Sequence, residues 1–363
     1  MGEDIHVQAC VIFLEPDDPD PNKRFKIAYE TRKHSGLCVA YSADGLTWQE
    51  SPNNPVGGWV EMSGGAKLDG CYYLAGQGGK HAVGVRQLVS VASYDFEHWS
   101  EATCSGLRRG QLNPMPPIAG KNAGEQVHLG AALWNRGNVI IGFYGKWNGH
   151  LSNDRRMLTM DLGFAVSQDA LHYNEPIRDC PIVSAAEDGW GSKGKESRTL
   201  NFLALIQGQG FENIGDETLF WYGAWPEEAG DGVRVTSWPR DRLGFFSPYD
   251  TGAWSYAKEK ENAHFVSAPI DLDGGVARLT VNVDGINEYS SISVEIQDQA
   301  FHTIAGYESD ASQGPNEPGL SQPVTWQSHD VIEGITGRIR VRVNFHGVRP
   351  EDVRLYAVYI DSV

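Results

Sequence analysis

The chain has 363 residues, with 47 acidic against 30 basic side chains and a formal net charge of −17. That excess repels phosphate backbones and anionic headgroups, which argues against nucleic-acid and membrane-surface partners, and no apolar run reaches the ~18 residues that a membrane span needs. The 42 glycines, 11 tryptophans and 14 tyrosines favour a turn-rich all-β chain, and the length suits two domains.

The start, Met1-Gly2-Glu3-Asp4-Ile5-His6, has neither the basic beginning nor the apolar core of a secretory signal. Strands are expected near Val7–Glu15, Phe25–Glu30, Leu37–Ser42 and Thr47–Glu50. Between the last two lies Ser42-Ala-Asp44-Gly-Leu-Thr-Trp48. The same spacing returns in Ser93-Tyr-Asp95-Phe-Glu-His-Trp99 and in Ser167-Gln-Asp169-Ala-Leu-His-Tyr173. Each copy follows a β-like run, and an aromatic-rich run precedes it by one strand: Phe25–Tyr29, Cys71–Ala75 and Val139–Tyr144. A recurring strand–strand–turn–aromatic unit is the mark of a β-propeller blade. The Ser and Asp suit a tight turn, and the ring can pack between sheets.

Four blades are read in this way, over about 6–52, 59–104, 125–176 and 196–248. The fourth has strands near Leu200–Gln207, Thr218–Trp225, Val233–Ser237 and Leu243–Phe246, and its outer turn, Trp238-Pro-Arg-Asp-Arg242, lacks the Ser-x-Asp pattern. Rings of this kind are more usually five-bladed, so a first blade upstream of this chain is expected, with a true four-bladed ring as the alternative. After about residue 256 the pattern changes to half-buried strands near Ala277–Val283, Ser291–Ile296, Val324–Gln327, Arg338–Phe345 and Arg354–Ile360. These read as an antiparallel β-sandwich. The expected domains are a propeller over 1–250 and an accessory sandwich over 257–363.

Five cysteines, Cys10, Cys38, Cys71, Cys104 and Cys180, give an odd count without paired spacing. Buried free thiols are expected, not a disulfide framework or a zinc site.

The runs Pro19-Asp-Pro-Asn-Lys-Arg-Phe-Lys26, Tyr41–Trp48 and Asp69-Gly-Cys-Tyr-Tyr73 resemble the five-bladed propeller glycoside hydrolases. The nearest resemblance is to uncharacterised proteins similar to the N-terminal domain of glycoside hydrolase family 32. Ser237–Phe245, Ala268–Leu272 and Leu279–Val283 look like the sandwich such proteins carry. The resemblance implies a carbohydrate substrate. The invertase-type Asn-Asp-Pro-Asn-Gly motif, an Arg-Asp-Pro motif and a Glu-Cys pair are all absent from the chain, so it supplies no catalytic list.

Propeller geometry selects candidates instead, because the innermost strands begin around one funnel. Blade one offers His6 and Gln8, blade two Glu61, blade three Glu125, Gln126 and His128, and blade four Glu196 and Arg198. Glycoside hydrolysis needs one protonated and one ionised carboxyl. Glu61 and Glu196 are therefore the expected catalytic pair, with Arg198 holding Glu196 ionised and Glu61 the drier acid. His6, Glu125, His128, Arg198 and Trp147 are the expected substrate-binding residues, each weighed against a plainer role as a solvated strand end or a packed ring. Trp190 and Trp225 also offer indole faces. No cofactor and no transition metal is expected; carboxylates and carbonyls in the funnel would suit a structural calcium without requiring one. The leading reading is a glycoside hydrolase using paired carboxylates. The alternative is a non-catalytic propeller that binds carbohydrate or a partner. A sialidase-like hydrolase ranks third, because the repeats are one residue short of sialidase boxes and no arginine triad is evident.

Overall fold

The computed structural model describes residues 7–31, 34–78, 85–101, 104–110, 122–188, 203–225, 233–248 and 263–363. The described chain is all-β, with isolated single-turn 3-10 segments such as Pro21–Lys23 and Arg155–Met157. None of its helices is long and apolar enough to cross a membrane. The chain divides into two compact units, Met1–Phe211 with Phe220–Thr236, and Glu212–Leu219 with Ser237–Val363.

The first unit is a succession of antiparallel meanders. Strands β1 (Val7–Leu14), β2 (Phe25–Thr31), β3 (Gly36–Ser42) and β4 (Gln49–Glu50) pair in chain order. So do β5 (Glu61–Leu68), β6 (Cys71–Gly78), β7 (Gln87–Ser93) and β8 (Cys104–Leu107). The third meander holds β9 (Gly124–Asn135), β10 (Ile140–Gly149), β11 (Thr159–Ser167) and β12 (Pro181–Val183). The fourth holds β13 (Leu203–Ile214), β14 (Glu217–Ala224) and β15 (Arg234–Pro239). It is not a separate sheet as expected: β13 pairs in parallel with β11 at Thr159 and Met160, which joins the last two meanders edge to edge. The expected fourth strand at Leu243–Phe246 also fails to join it; Phe246 instead exchanges backbone hydrogen bonds with Leu355.

The cores lie between successive sheets, as they do between propeller blades. Val11, Phe13, Tyr72, Phe96 and Trp99 fill the space between the first two, and Ala66, Leu88, Val127, Tyr144 and Tyr173 the space between the next two. The three repeats form the same turn. In each, the Asp side chain accepts backbone N–H bonds from the residues two and three positions on, at 2.7–2.9 Å. The residue after each Asp (Gly45, Phe96 and Ala170) has left-handed backbone, with φ of 75°, 67° and 59°. The turn then delivers Trp99 and Tyr173 into the inter-sheet cores, while Trp48 stays half-buried beside Ile27 and Tyr29. The thiols are all free, but only Cys38 and Cys71 are buried; Cys180 is exposed on the loop before β12, where no sheet covers it.

The second unit consists of two antiparallel sheets. One has the order β16 (His264–Val266), β21 (Ile339–Gly347), β18 (Ser290–Asp298); the other has β19 (Ser312–Gln313), β20 (Gly319–Trp326), β17 (Ala277–Asp284), β22 (Arg354–Ser362). Leu279, Val281 and Trp326 from one sheet share a core with Val294, Ile296, Val341 and Val343 from the other, the arrangement of a sandwich. The buried Trp326 indole donates across it to the Val294 carbonyl at 2.9 Å.

Candidate functional site

The first strands of the meanders lie together. Ser63-Gly64-Gly65 explains how: a Cβ on Gly64 would stand 2.2 Å from the Ala131 carbonyl oxygen on β9, and one on Gly65 would stand 2.5 Å from the Phe13 ring on β1. Only glycine lets β5 wedge between β1 and β9 at this distance. Strand β13 completes the group. Gln209 donates to the Cys10 carbonyl on β1, and Gln207 Nε2 lies 3.0 and 3.2 Å from the carbonyl oxygens of His128 and Gly130 and 3.4 Å from Ser63 Oγ.

Each of β1, β5 and β9 is irregular near its head, with register shifts at Val7–Cys10, Met62–Gly64 and His128–Ala131. Bulges of this kind re-aim side chains at strand ends. At the third, Leu129 and Gly130 both take left-handed backbone, φ 58° and 73°. A leucine there is strained and must be held by its surroundings. Gln77 does part of this, accepting from the Leu129 N–H at 3.2 Å, and its Nε2 donates to Glu61 Oε2 at 2.7 Å. One glutamine therefore ties the bulge to the carboxylate that opens β5.

Within electrostatic reach of Glu61 lies Glu30, near the end of β2. It is fully buried, and neither carboxyl oxygen has a hydrogen-bond partner among the described residues. Burial, helped by the negative charge of Glu61, pushes its pKa from 4.5 up to about 8. Glu30 is therefore protonated at neutral pH.

Arg86 is buried just before β7. Its guanidinium carbon sits 4.2 Å above the Trp147 ring, and Gln126 Oε1 accepts from its backbone N–H at 3.0 Å and its Nη1 at 3.1 Å. His128 stacks on Trp147 at 5.5 Å and lies 4.5 Å from the Trp225 ring. Arg155, from the 3-10 turn before β11, lies 4.4 Å over Trp225. Burial first, and then repulsion from Arg155, lowers the pKa of Arg86 to about 10, while the charge of Glu61 opposes this shift.

A second network gathers at the exit of β8. The buried Arg109 guanidinium reaches Asp179 at 2.8 Å, Glu125 at 3.7 Å and Glu175 at 3.9 Å. Tyr144 donates to Glu175, and Lys146 Nζ donates to the Asp179 carbonyl at 2.8 Å. These are strand-to-loop ties.

Of the residues singled out from the sequence, Gln126, His128, Trp147 and Trp225 come together around Arg86, and Glu61 lies within electrostatic reach of Arg86 and Glu30. Glu125 belongs to the Arg109 network instead. Trp147 lies on β10, fully buried between His128 and Arg86, so it offers no ring face to a sugar and serves as a platform for those two groups. Glu61 is half-buried, whereas Glu30 is fully buried. His6, Glu196, Arg198 and Trp190 lie outside the described residues. Glu30, Gln77, Arg86 and Arg155 were missed. The one signal for Glu30 was a lone acid closing the otherwise apolar run Ile27-Ala28-Tyr29. Among the described residues, no three His, Cys, Asp or Glu side chains gather to hold a metal ion.

No protein-family model matches the chain, and no curated protein does. Among solved structures it is similar to a thermostable family-43 glycoside hydrolase, at 15% identity over 68% of this chain and 73% of that one, with a TM-score of 0.41. It is also similar to the Bombyx mori GH32 beta-fructofuranosidase, at 12% identity over 98% of this chain and 80% of that one, with a TM-score of 0.37. A beta-1,2-mannobiose phosphorylase from Listeria innocua aligns at 14% identity over 60% of this chain and 55% of that one, with a TM-score of 0.37.

Proposed function

We propose that the chain is a glycoside hydrolase acting where the first strands of the meanders begin. The roles expected from the sequence are reversed: Glu61, which accepts the Gln77 hydrogen bond, is the carboxylate that serves as base or nucleophile, and Glu196, from the segment before β13, is the partner carboxyl that protonates the leaving oxygen. Glu30 is a positioning residue: fully buried and within electrostatic reach of Glu61, it touches no substrate and acts through its neighbour. The observation that carries this reading is the Glu30–Glu61 pair, in which one carboxyl keeps its proton at neutral pH while the other accepts a hydrogen bond from Gln77. Acid–base cleavage of a glycosidic bond requires an ionised carboxyl at the base or nucleophile position, and Glu61 fills it. While Glu30 is neutral, it adds no repulsion to the charge on Glu61.

The test is hydrolysis of a panel of oligosaccharides by the wild type, Glu61→Gln and Glu196→Gln. Loss of a catalytic carboxyl should lower kcat/KM by roughly 10²–10⁴-fold. Glu30→Gln should keep much of the activity but remove the part of the pH–rate profile that reports its titration. Full hydrolysis by Glu61→Gln would rule out the assignment. Tight glycan binding without turnover by the wild type would favour the non-catalytic binding propeller.

A further inference from the structure

A different chemistry gathers away from the strand heads, where the turn of the third repeat meets β8. Asp169 and His172 of that turn are joined, Oδ2 to Nδ1, at 2.7 Å. An ionised carboxylate only accepts, so Nδ1 carries the proton and the neutral ring offers its Nε2 lone pair. That Nε2 lies 3.9 Å from the sulfur of Cys104, the first residue of β8. The thiol has a second acceptor, the Leu171 carbonyl at 3.6 Å, but only the imidazole can take its proton away. Asp169 stays ionised at neutral pH: burial raises its pKa, but hydrogen bonds from the His172 ring, from the His172 and Leu171 backbone N–H groups and from Ser167 hold it at about 2. Neighbouring groups fix the three in place. The Tyr173 N–H donates to the Gly106 carbonyl at 3.0 Å and Ser90 Oγ donates to the Ala170 carbonyl at 2.8 Å. A Cβ on Gly106 would stand 2.4 Å from the Leu171 carbonyl oxygen, so turn and strand lie in close contact. His172 is exposed and Cys104 half-buried, which leaves the pair within reach of small solutes. The second repeat has the same Asp–His pair, Asp95 with His98 at 2.7 Å, and no sulfur bonds that ring among the described residues. Cys71 and Cys180 meet carbonyl oxygens instead, at 3.6–3.8 Å.

We propose that Cys104 is a nucleophilic thiol activated by His172 and positioned by Asp169, a redox-modification site that a small uncharged hydroperoxide oxidises to the sulfenic acid. The site is independent of the hydrolase activity. His172 takes the thiol proton, and Asp169 stabilises the resulting imidazolium from its far nitrogen. The thiolate then attacks one peroxide oxygen. The S–O bond forms as the O–O bond breaks, and the departing hydroxide takes the proton from His172 Nε2 and leaves as water. Sulfur loses two electrons and the peroxide gains them. Asp169 and the formal charge of −17 on the chain repel anionic electrophiles, which is why the reactant is uncharged. The half-covered sulfur is why it is small.

The experiment treats the full chain with hydrogen peroxide in the presence of dimedone, which traps sulfenic acids, and follows each cysteine by peptide mass spectrometry. Cys180, exposed but bonded only to a carbonyl oxygen among the described residues, is the reference within the same molecule. Cys104 should be trapped about tenfold or more faster than Cys180. His172→Ala removes an exposed ring, so the melting temperature should hold while the Cys104 rate falls about tenfold and the Cys180 rate stays the same. Added imidazole should restore part of that loss, which it would not do if the ring were only structural. Asp169→Asn keeps an acceptor for the turn and should give an intermediate rate. His98→Ala, which breaks the matching pair of the second repeat, should leave Cys104 unchanged. Cys104 reacting no faster than Cys180 would overturn the proposal. So would a wild-type Cys104 rate in His172→Ala, or a loss in His98→Ala as large as the one in His172→Ala.

Discussion

Replacing Glu30 by Gln isolates the carboxyl on which the proposed site turns. The folded-state pKa of Glu30 is about 8 against an ordinary 4.5, raised first by burial and then by the charge of Glu61. Between these values the folded chain keeps a proton that the unfolded chain has released. Stability must therefore fall as pH rises through this window, by about 1.4 kcal/mol per pH unit, and level off above it. A window of about 3.5 units (8 less 4.5) gives about 5 kcal/mol for a rigid, dry site, and water drawn in with the new charge brings the expected figure to about 3 kcal/mol. Gln has nearly the same shape and never ionises. Urea unfolding of the wild type and Glu30→Gln at each unit from pH 5 to 9 should give similar stabilities at pH 5 and a mutant about 3 kcal/mol more stable at pH 9. Glu61→Gln should narrow the pH window over which the wild type loses stability, because it removes the second cause of the raised pKa. Parallel wild-type and Glu30→Gln curves would refute the reasoning, as would a wild type that gains on the mutant toward high pH.

The repeated turns, the close strands and the second core each give a further test. Asp169→Ala removes the acceptor for the N–H groups of Leu171 (2.9 Å) and His172 (2.7 Å) and should cost about 1 kcal/mol, a fall of a few degrees in Tm by scanning fluorimetry, with Asp169→Asn milder. An unchanged Tm for Asp169→Ala would show that the turn is not held by that carboxylate. Gly64→Ala places a methyl 2.2 Å from a backbone oxygen and should abolish soluble expression, or lower stability by more than about 3 kcal/mol if the chain still folds; wild-type yield and Tm would count against it. Leu279→Ala empties a fully buried position in the sandwich core and should cost about 2–5 kcal/mol in calorimetric unfolding, and a loss below about 1 kcal/mol would contradict the packing.

Strand positions were legible because alternation and aromatic clustering act locally. The first meander matches its expected strands to within a residue or two, and the Ser-x-Asp turns follow from side-chain bonding over three or four residues. Pairing partners were less legible. Leu243–Phe246 has a strand-like pattern, but pattern does not name the edge it joins, and Phe246 bonds to Leu355. Among the site residues, Glu61 and His128 could be found because they head innermost strands. Glu30 and Gln77 could not, since each closes a second strand, and the register shifts decide which such residues meet the strand heads. Those shifts depend on tertiary bonds such as Gln207 to His128 and Gly130, which leave no local trace beyond Gly130 itself. Trp147 misled because the sequence shows an indole but not which faces are already covered.

The same close packing explains why the chemistry collects where it does. Midway along the first strands the backbones nearly touch: a Cβ on Gly64 would meet Ala131, and one on Gly130 would stand 2.7 Å from the Gly76 backbone. Side chains at that level point into inter-sheet cores and leave no room for a ligand between β5, β6 and β9. Groups that are to meet a substrate must therefore sit beyond this constriction, at the strand heads. There the register shifts leave Ser63, Leu129 and Gly130 out of the pairing beside Glu61 and His128, and there Gln77, Arg86 and Gln126 supply hydrogen bonds. A division of labour follows along each first strand, with stability set in the middle and ligand contact at the head. Gly64→Ala should therefore damage folding, whereas Glu61→Gln, three residues earlier on the same strand, should leave the fold intact and remove turnover.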